Sequence, residues 1–199
     1  VKAGGYHFIA PDNGVLSYTL SAFDNYEAVA IENPAYQLSN VSQTFHGRDI
    51  FSPASAYIAR GDVPMSKLGK THDMLFTFPK PDMTHSKNRI TGEVMHVDHF
   101  GNIITSIGKF SWRDPNILHL KPYFNESVPE LDIDAEAASI TIHSYAIHGI
   151  ARAYYEVHRG NILCQIDSNG FLEIAANQDN AAHRLDVELG DKVVLSFGK

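Results

Sequence analysis

The chain has 199 residues, of which 44% are hydrophobic and 20% charged, and its formal net charge is −7. This size predicts a substantial core in one large domain or two small ones. Lysine and arginine are scattered, and no apolar stretch reaches the roughly 20 residues of a membrane-spanning helix. Nucleic acid and membrane are therefore not expected partners. Cys164 is the single cysteine, which permits no intrachain disulfide and favours a cytoplasmic location.

The first half of the chain mixes short strands with helices. "VKAGGYH" predicts two strands joined by a Gly-Gly turn, as in the middle of a domain, so we expect further residues upstream. "VLSYTLSAF" has the apolar spacing of a helix, and "EAVAIE" favours a strand. Ser52 as N-cap, Pro53 at the first helical position and Gly61 at the end predict another helix. His46 is expected before this helix, on a loop or strand end.

A proline-rich, aperiodic stretch, "FTFPKPDMTHSKNRI", marks a domain boundary. It predicts an α/β domain over residues 1–85 and a β domain over residues 86–199. In the second domain "TGEVMHVD" alternates, so Val94, His96 and Asp98 are expected on one face of a strand.

Further β signals follow this strand. "HFGN" predicts a turn, and "IITSI", "ASITIHSYAI" and "DKVVLSF" predict strands. "NILCQIDSNGFLEIAAN" predicts a hairpin around Ser-Asn-Gly. Short strands at regular spacing favour a small antiparallel barrel or sandwich.

His46, in "FHGRDIF", is the first residue that could carry chemistry. Histidine is a common acid or base because its unperturbed pKa is about 6.5. Gly47 beside it would let a ligand come close. A histidine that is hydrogen-bonded within a turn fits the same pattern.

"HVDHFGN" allows three interpretations. His96, Asp98 and His99 are residue types that bind zinc or iron. Alternatively, Asp98 could accept hydrogen bonds from an ammonium group while the Phe100 ring packs on an aromatic ligand. The third interpretation is an ordinary turn around glycine.

A third polar stretch, "DSNGFLEIAANQDNAA", fits two ordinary turns by its spacing. The chain contains no Gly-x-Ser-x-Gly elbow, no Walker-type loop and no Gly-x-Gly-x-x-Gly after a strand. These absences remove the common nucleophile and phosphate-binding functions.

Four ordered blocks together resemble one family: "HFIAPDNGVLS", "TFHGRDIFSPASAYIARG", "GEVMHVDHFGNIITSI" and "DSNGFLEIAANQDNAA". They are similar to the S-adenosylmethionine hydrolases, also called SAM hydroxide adenosyltransferases, which are relatives of fluorinase and chlorinase. The resemblance extends from about residue 5 to the end. It implies that water or hydroxide attacks C5′ of S-adenosyl-L-methionine, giving adenosine and L-methionine. No metal or cofactor is implied, because the sulfonium is already an activated leaving group.

The resemblance also implies a fold and an assembly. We expect a Rossmann-like layered α/β N-terminal domain, here incomplete, and a C-terminal antiparallel β-barrel domain. We expect a homotrimer with its sites at subunit interfaces.

Site residues follow from the same resemblance. His46 matches the histidine of an Asp-Arg-His catalytic set, and because halogenating relatives carry other residues there, it implies water as nucleophile. The matching substrate-binding residues are Phe45, Gly47, Asp98, Phe100, Asn102, Ser168, Asn169, Ala176, Asn177 and Gln178.

Five of these residues have distinct implied roles. Asp98 matches the residue that binds the methionine amino group, and Ser168 reaches the same end. Phe100 and Asn102 match positions on the adenosine side. Asn169 stands where halogenating relatives carry a carboxylate-binding arginine, and an amide lacks that charge and bidentate fork.

The remaining residues match positions around the reacting carbon and the adenine. Phe45 and Gly47 flank C5′, and backbone groups of residues 176–178 read the adenine edge. The Asp and Arg of the catalytic set lie upstream of "PDNG" in the family, so the 199 residues are expected to be inactive alone. The alternatives are a halogenase, a non-catalytic adenosyl-ligand-binding protein and a metallohydrolase built on "HVDH".

Overall fold

The computed structural model describes residues 1–61 and 63–198, which form two compact units. Unit 1 is Val1–Lys80 and unit 2 is Pro81–Lys199. The boundary predicted from sequence lay at residues 85 and 86. Among the described residues, no helix combines the length and the apolar character that crossing a membrane requires.

Unit 1 consists of short elements joined by long loops. The predicted hairpin at the start forms because Gly4 and Gly5 both adopt positive φ, at 53° and 84°. The elements are the strands β1 (Lys2–Ala3) and β2 (Tyr6–His7), the helices α1 (Ser17–Leu20) and α2 (Ser52–Arg60), a π-helical turn Gly47–Phe51, and 3₁₀ turns at Pro34–Tyr36 and Met65–Lys67.

One sequence prediction in unit 1 is wrong. "EAVAIE" forms no strand, because its residues meet partners only one at a time, in the isolated bridges Lys2–Glu27 and Val29–Thr71. The helix predicted in "VLSYTLSAF" is present as α1, but it is limited to one turn and Val15 is exposed. Within the described residues the sheet of unit 1 is the β1–β2 pair, so the Rossmann-like layers are not confirmed.

Unit 2 is mainly β-sheet. Its described elements are β3 (Met83–Ser86), β4 (Arg89–Val97), β5 (Ile103–Trp112), β6 (Ile117–Lys121), β7 (Leu131–Asp134), β8 (Ser139–Ile142), β9 (Tyr145–His148), a 3₁₀ turn Tyr154–Glu156, β10 (Ile162–Ile166), β11 (Phe171–Ala176), α3 (Ala181–Leu185) and β12 (Lys192–Ser196). The described strand pairs are all antiparallel, and these ten strands form one sheet with the path β10-β11-β5-β4-β12-β8-β9. β3 pairs with β4, and β6 joins β5 to β7.

The antiparallel character of unit 2 agrees with the sequence prediction, whereas closure into a barrel stays a prediction. "ASITIHSYAI" is not one strand but the hairpin β8–β9, in which His143 adopts φ 50°. The predicted common face of Val94, His96 and Asp98 is also wrong. A register shift between Val94 and His96 interrupts the alternation, so Val94 is buried while His96 is exposed.

The core of unit 2 is built on this sheet, and β11 is buried at successive positions from Leu172 to Ala176. Buried and less buried residues alternate along β8 and β12, as expected for strands with one covered face. Fully buried residues of this core come from most of the described strands, among them Ile90, Ile107, Leu120, Ile140, Leu172 and Leu195.

We expect Leu120→Ala to destabilise the protein by about 2–5 kcal/mol, because it leaves a cavity in a closely packed core. Leu120 is 0% accessible, whereas Leu189, the matched control, is 67% accessible. Leu189→Ala should change the free energy of unfolding by less than about 0.5 kcal/mol. Urea unfolding followed by circular dichroism measures both, and equal effects of the two substitutions would contradict this location of the core.

Candidate functional site

His46 begins a helical segment rather than preceding one. Its φ and ψ are −58° and −31°, and the π-helical turn Gly47–Phe51 leads directly into α2. The backbone N–H groups of Arg48 and Asp49 both donate to the carbonyl of Phe45. The predicted N-cap at Ser52 is therefore wrong, because Ser52 lies inside the segment and its hydroxyl donates to the Gly47 carbonyl at 2.7 Å. The predicted end at Gly61, with φ 78°, is confirmed.

A buried carboxylate holds the start of this segment in place. Asp49 has a fully buried side chain, and it accepts hydrogen bonds from Arg48 Nε at 2.6 Å and from the Ser42 N–H at 2.8 Å. The Arg48 hydrogen bond, followed by that of Ser42, lowers the pKa of Asp49 to about 2. The Arg48 guanidinium also lies 5.0 Å from the centre of the exposed Phe45 ring. "GRD" thus orders the backbone around His46.

His46 lines a mainly apolar cavity of about 390 Å³ in unit 1. Asp12 and His72 line the same cavity, and His72 Nε2 lies 3.1 Å from Asp12 Oδ2. The His72 hydrogen bond, with that of the Phe76 N–H, lowers the pKa of Asp12. A Cβ added at Gly47 would meet nothing within 4 Å, so the chain beside His46 is open to a ligand.

In unit 2 the carboxylate of Asp98 closes the turn of "HVDHFGN". It accepts hydrogen bonds from the N–H groups of Phe100 and Asn102 and from Asn102 Nδ2, at 2.8–2.9 Å. Gly101 completes the turn with φ 86°, and a Cβ there would lie 2.2 Å from the Asn180 side chain. The turn leaves the Phe100 ring 78% accessible, a suitable surface for stacking a ligand ring.

Asp98 shares a cavity of about 570 Å³ with Ser168 and Asn169. We call it the polar cavity. Ser168 and Asn169 lie in the hairpin turn between β10 and β11, where Asp167 accepts hydrogen bonds from the N–H groups of Asn169 and Phe171. This turn and its hairpin are as predicted from the sequence.

A second cavity, of about 370 Å³, is lined by Phe100, Asn102, Ala176 and Gln178. We call it the aromatic cavity. Tyr154 lines both this cavity and the polar one, so the two adjoin at this residue.

Asn177 lines neither cavity, in contrast to the other predicted contacts of unit 2. Its Nδ2 donates to the Val157 carbonyl, its N–H donates to the Asn161 carbonyl, and its own carbonyl accepts from the Gly160 N–H. These bonds hold the loop after the 3₁₀ turn Tyr154–Glu156 against the end of β11. Gln178, with φ 57°, turns back towards the aromatic cavity.

The metal interpretation of "HVDHFGN" gains no support from the geometry. His96 and Asp98 line the polar cavity, but His99 does not. Within residues 1–61 and 63–198, no group of three or more His, Cys, Asp or Glu side chains could hold a metal ion.

Sequence reasoning missed a buried polar network at the polar cavity. Glu173 is 7% accessible, and its Oε1 accepts hydrogen bonds from Tyr154 at 3.0 Å and from Gln165 Nε2 at 2.6 Å. Burial, together with the charge of Glu173, raises the pKa of Tyr154 to about 12. The one signal in the sequence was a glutamate at an otherwise apolar position of the β11 hairpin.

Two family models match the chain: the SAM hydroxide adenosyltransferase N-terminal domain over residues 1–69 and the C-terminal domain over residues 92–194. The chain belongs to the SAM hydroxide adenosyltransferase family. This result confirms the resemblance read from the four sequence blocks. The two matched ranges fall within unit 1 and unit 2 respectively.

Named relatives and a solved structure agree with this family. The (R)-S-adenosyl-L-methionine hydrolase of Salinispora arenicola is 30% identical, over 100% of this chain and 68% of its own length. A fluorinase from Actinoplanes sp. is 25% identical, over 97% of this chain and 62% of its own length. The crystal structure of an uncharacterized conserved protein from Thermotoga maritima matches with a TM-score of 0.65 and 30% identity, over 94% of this chain and 65% of that one. The chain thus spans about two thirds of the length of these proteins.

We expect Asp49→Asn to lower the thermal unfolding midpoint at near-neutral pH, because the carboxylate is stabilised in the folded state. Its folded pKa of about 2 lies below the ordinary value of about 3.9. The contribution of the Asp49 carboxylate to the stability of the folded state is therefore complete above pH 4 and is lost as the pH falls towards 2.

Differential scanning fluorimetry across this range should show the gap between parent and variant closing as the pH falls. The matched control is Asp24→Asn, at an exposed aspartate of the same unit, which should leave the midpoint at near-neutral pH unchanged. A gap that is constant from pH 6 to pH 2 would contradict the assigned role of Asp49.

Proposed function

We propose that the protein hydrolyses S-adenosyl-L-methionine to adenosine and L-methionine by attack of water or hydroxide on C5′. One observation carries this proposal: stretches 98–102, 168–169 and 176–178, which are far apart in the sequence, converge on two adjoining cavities. One cavity is polar and acidic, and the other offers an aromatic ring and amides. A ligand with an amino-acid end and a nucleoside end has the two matching halves.

The polar cavity suits the methionine end. In this proposal Asp98 accepts hydrogen bonds from the ammonium group, since a carboxylate is the natural partner of a cation. Ser168 and Asn169 offer hydroxyl and amide groups to the carboxylate. Asn169 stands where halogenating relatives carry an arginine, so the ligand carboxylate has no bidentate partner there. We therefore expect this carboxylate to be bound more weakly than in relatives that have the arginine.

The aromatic cavity suits the nucleoside. Phe100 offers its exposed face for stacking, and base–aromatic stacking stabilises a complex by about 1–3 kcal/mol. The amide of Asn102 donates to Asp98, and this bond fixes its orientation beside the ligand. The turn at Gln178 offers polar groups for the adenine edge.

The chemistry requires little of the protein besides positioning. The leaving group is a neutral thioether, so neither a metal nor a cofactor is needed to activate it. The enzyme must hold a nucleophilic water in line with the C5′–S bond. We assign the orientation of this water to His46, whose position is fixed by the Asp49 anchor and which borders open space. Relatives carry the names hydrolase and fluorinase, and His46 favours the hydrolase.

We expect the complete gene product to release adenosine and methionine from S-adenosyl-L-methionine in halide-free buffer. His46→Ala should lower kcat by about 10²–10⁴-fold, the range for loss of a group that handles a proton. Liquid chromatography with mass spectrometry measures both products. The matched control is His158→Ala, at an exposed histidine of unit 2 that lines neither cavity.

The same assay separates the alternatives. A 5′-halogenated adenosine formed when chloride or fluoride is added would establish a halogenase instead. Binding of the substrate with no product from a folded, complete protein would establish a non-catalytic binding protein.

The complete protein is expected to be a homotrimer with its sites at subunit interfaces, and this assembly stays a prediction. Size-exclusion chromatography with light scattering should give three times the subunit mass. A monomer at concentrations that support turnover would contradict shared sites.

A further inference from the structure

Glu173 differs from the other carboxylates of the polar cavity. The cavity is lined by Asp98, Asp167 and Glu173, and its described lining contains no lysine or arginine. Asp98 and Asp167 each accept two backbone N–H groups within their own turns. Glu173 lies on a strand and closes no turn in this way. The charge of its side chain therefore needs another explanation.

The geometry leaves one oxygen of Glu173 available to a ligand. Both hydrogen bonds, from Tyr154 and from Gln165, go to Oε1. Oε2 makes no hydrogen bond to another described residue. No fully buried side-chain oxygen of the described chain lacks a partner, so Oε2 must reach accessible space. Because Glu173 is 93% buried and lines the polar cavity, that space is the cavity.

Tyr154 places this carboxylate at the junction of the two cavities. Tyr154 lines both of them, and its hydroxyl donates to Glu173 at 3.0 Å. With its pKa raised to about 12, chiefly by burial, Tyr154 stays protonated and remains a donor at neutral pH. In a ligand that fills both cavities, the atoms that join its two ends must therefore lie beside Tyr154 and Glu173.

We propose that Glu173, oriented by Tyr154 and Gln165, recognises the positive charge at the centre of the ligand, which is the sulfonium of S-adenosyl-L-methionine. This inference rests on the proposed function, which places the amino-acid end in the polar cavity and the nucleoside in the aromatic cavity. Glu173 thereby selects the charged substrate over neutral thioethers of the same shape.

The reaction itself removes the charge that Glu173 binds. The water oxygen forms a bond to C5′, the electron pair of the C5′–S bond passes to sulfur, and one proton of the water is released to the solvent. The sulfonium becomes the neutral thioether of methionine. A carboxylate that binds the sulfonium therefore stabilises the substrate more than the transition state, in which this charge is already falling. Glu173 accordingly lowers KM without raising kcat, and its attraction ends when the products form.

The direct test compares two unreactive ligands that differ in this central charge. S-Adenosylhomocysteine has a neutral thioether, whereas sinefungin carries an ammonium-bearing carbon in place of the sulfonium. Isothermal titration calorimetry on the complete protein should give about tenfold tighter binding of sinefungin, the scale of a close charge pair. In Glu173→Gln this preference should disappear, while S-adenosylhomocysteine binds as before.

Two further variants separate recognition from structure. Glutamine is isosteric and can still accept the bonds from Tyr154 and Gln165, so Glu173→Gln should fold normally. Glu188→Gln, the matched control, removes an exposed carboxylate that lines neither cavity and should keep the tenfold preference. Tyr154→Phe should lose part of the preference, because Glu173 loses the bond that orients it. In turnover, Glu173→Gln should raise KM about tenfold and leave kcat unchanged or higher.

Each outcome decides the inference. If the parent protein binds neither ligand, the proposed function and this inference both fail. If the parent binds both ligands without preference, or if Glu173→Gln keeps the preference, this inference alone is overturned. If Glu173→Gln weakens the binding of both ligands equally, the role of Glu173 is structural, and this result also overturns the inference.

Discussion

The pairing of β11 with both β10 and β5 is the constraint on which the candidate site depends. A six-residue strand that has a partner on each side is held at both edges, and it extends for roughly 20 Å. The turn before it carries Ser168 and Asn169, and the turn after it carries Gln178. The strand therefore fixes the separation between the polar and the aromatic cavity. Glu173, in the middle of the strand, is fixed in the wall of the polar cavity.

The neighbouring β4–β5 connection completes the two cavities from the other side. β5 pairs with β11, and the turn that precedes β5 contains Asp98 and Phe100. The Asp98 carboxylate closes this turn with three hydrogen bonds, which orients Phe100 and Asn102 towards the aromatic cavity. One residue thus organises the backbone and offers its charge to the polar cavity. A substitution of Asp98 is therefore expected to affect structure and binding together, whereas a substitution of Glu173 separates these two effects more cleanly.

Local features were the ones that the sequence predicted well. The hairpin around Ser168 follows from a Ser-Asn-Gly turn, and the end of α2 follows from a glycine at φ 78°. The start of the helical segment at His46 was missed because the Asp49 carboxylate bonds to Ser42, seven residues away, and no N-cap pattern reports that contact. The bulge after Val94 was missed because it depends on the register of the partner strand.

The candidate site was predictable in its residues but not in its arrangement. The resemblance supplied Asp98, Ser168 and Gln178, whereas only the fold shows that they line adjoining cavities. The Tyr154–Glu173 bond joins residues 19 positions apart on different elements, and the Asp12–His72 pair spans 60 positions. Contacts of this kind arise from tertiary packing, which leaves no periodic signal in the sequence.

We propose that the two adjoining cavities hold the two ends of one adenosyl ligand. A crystal structure of the complete protein with bound sinefungin would show this arrangement. We predict the adenine on the Phe100 face, the amino-acid ammonium within hydrogen-bonding distance of Asp98, and the central ammonium beside Glu173. A ligand bound elsewhere, or bound with its two ends exchanged between the cavities, would contradict the claim.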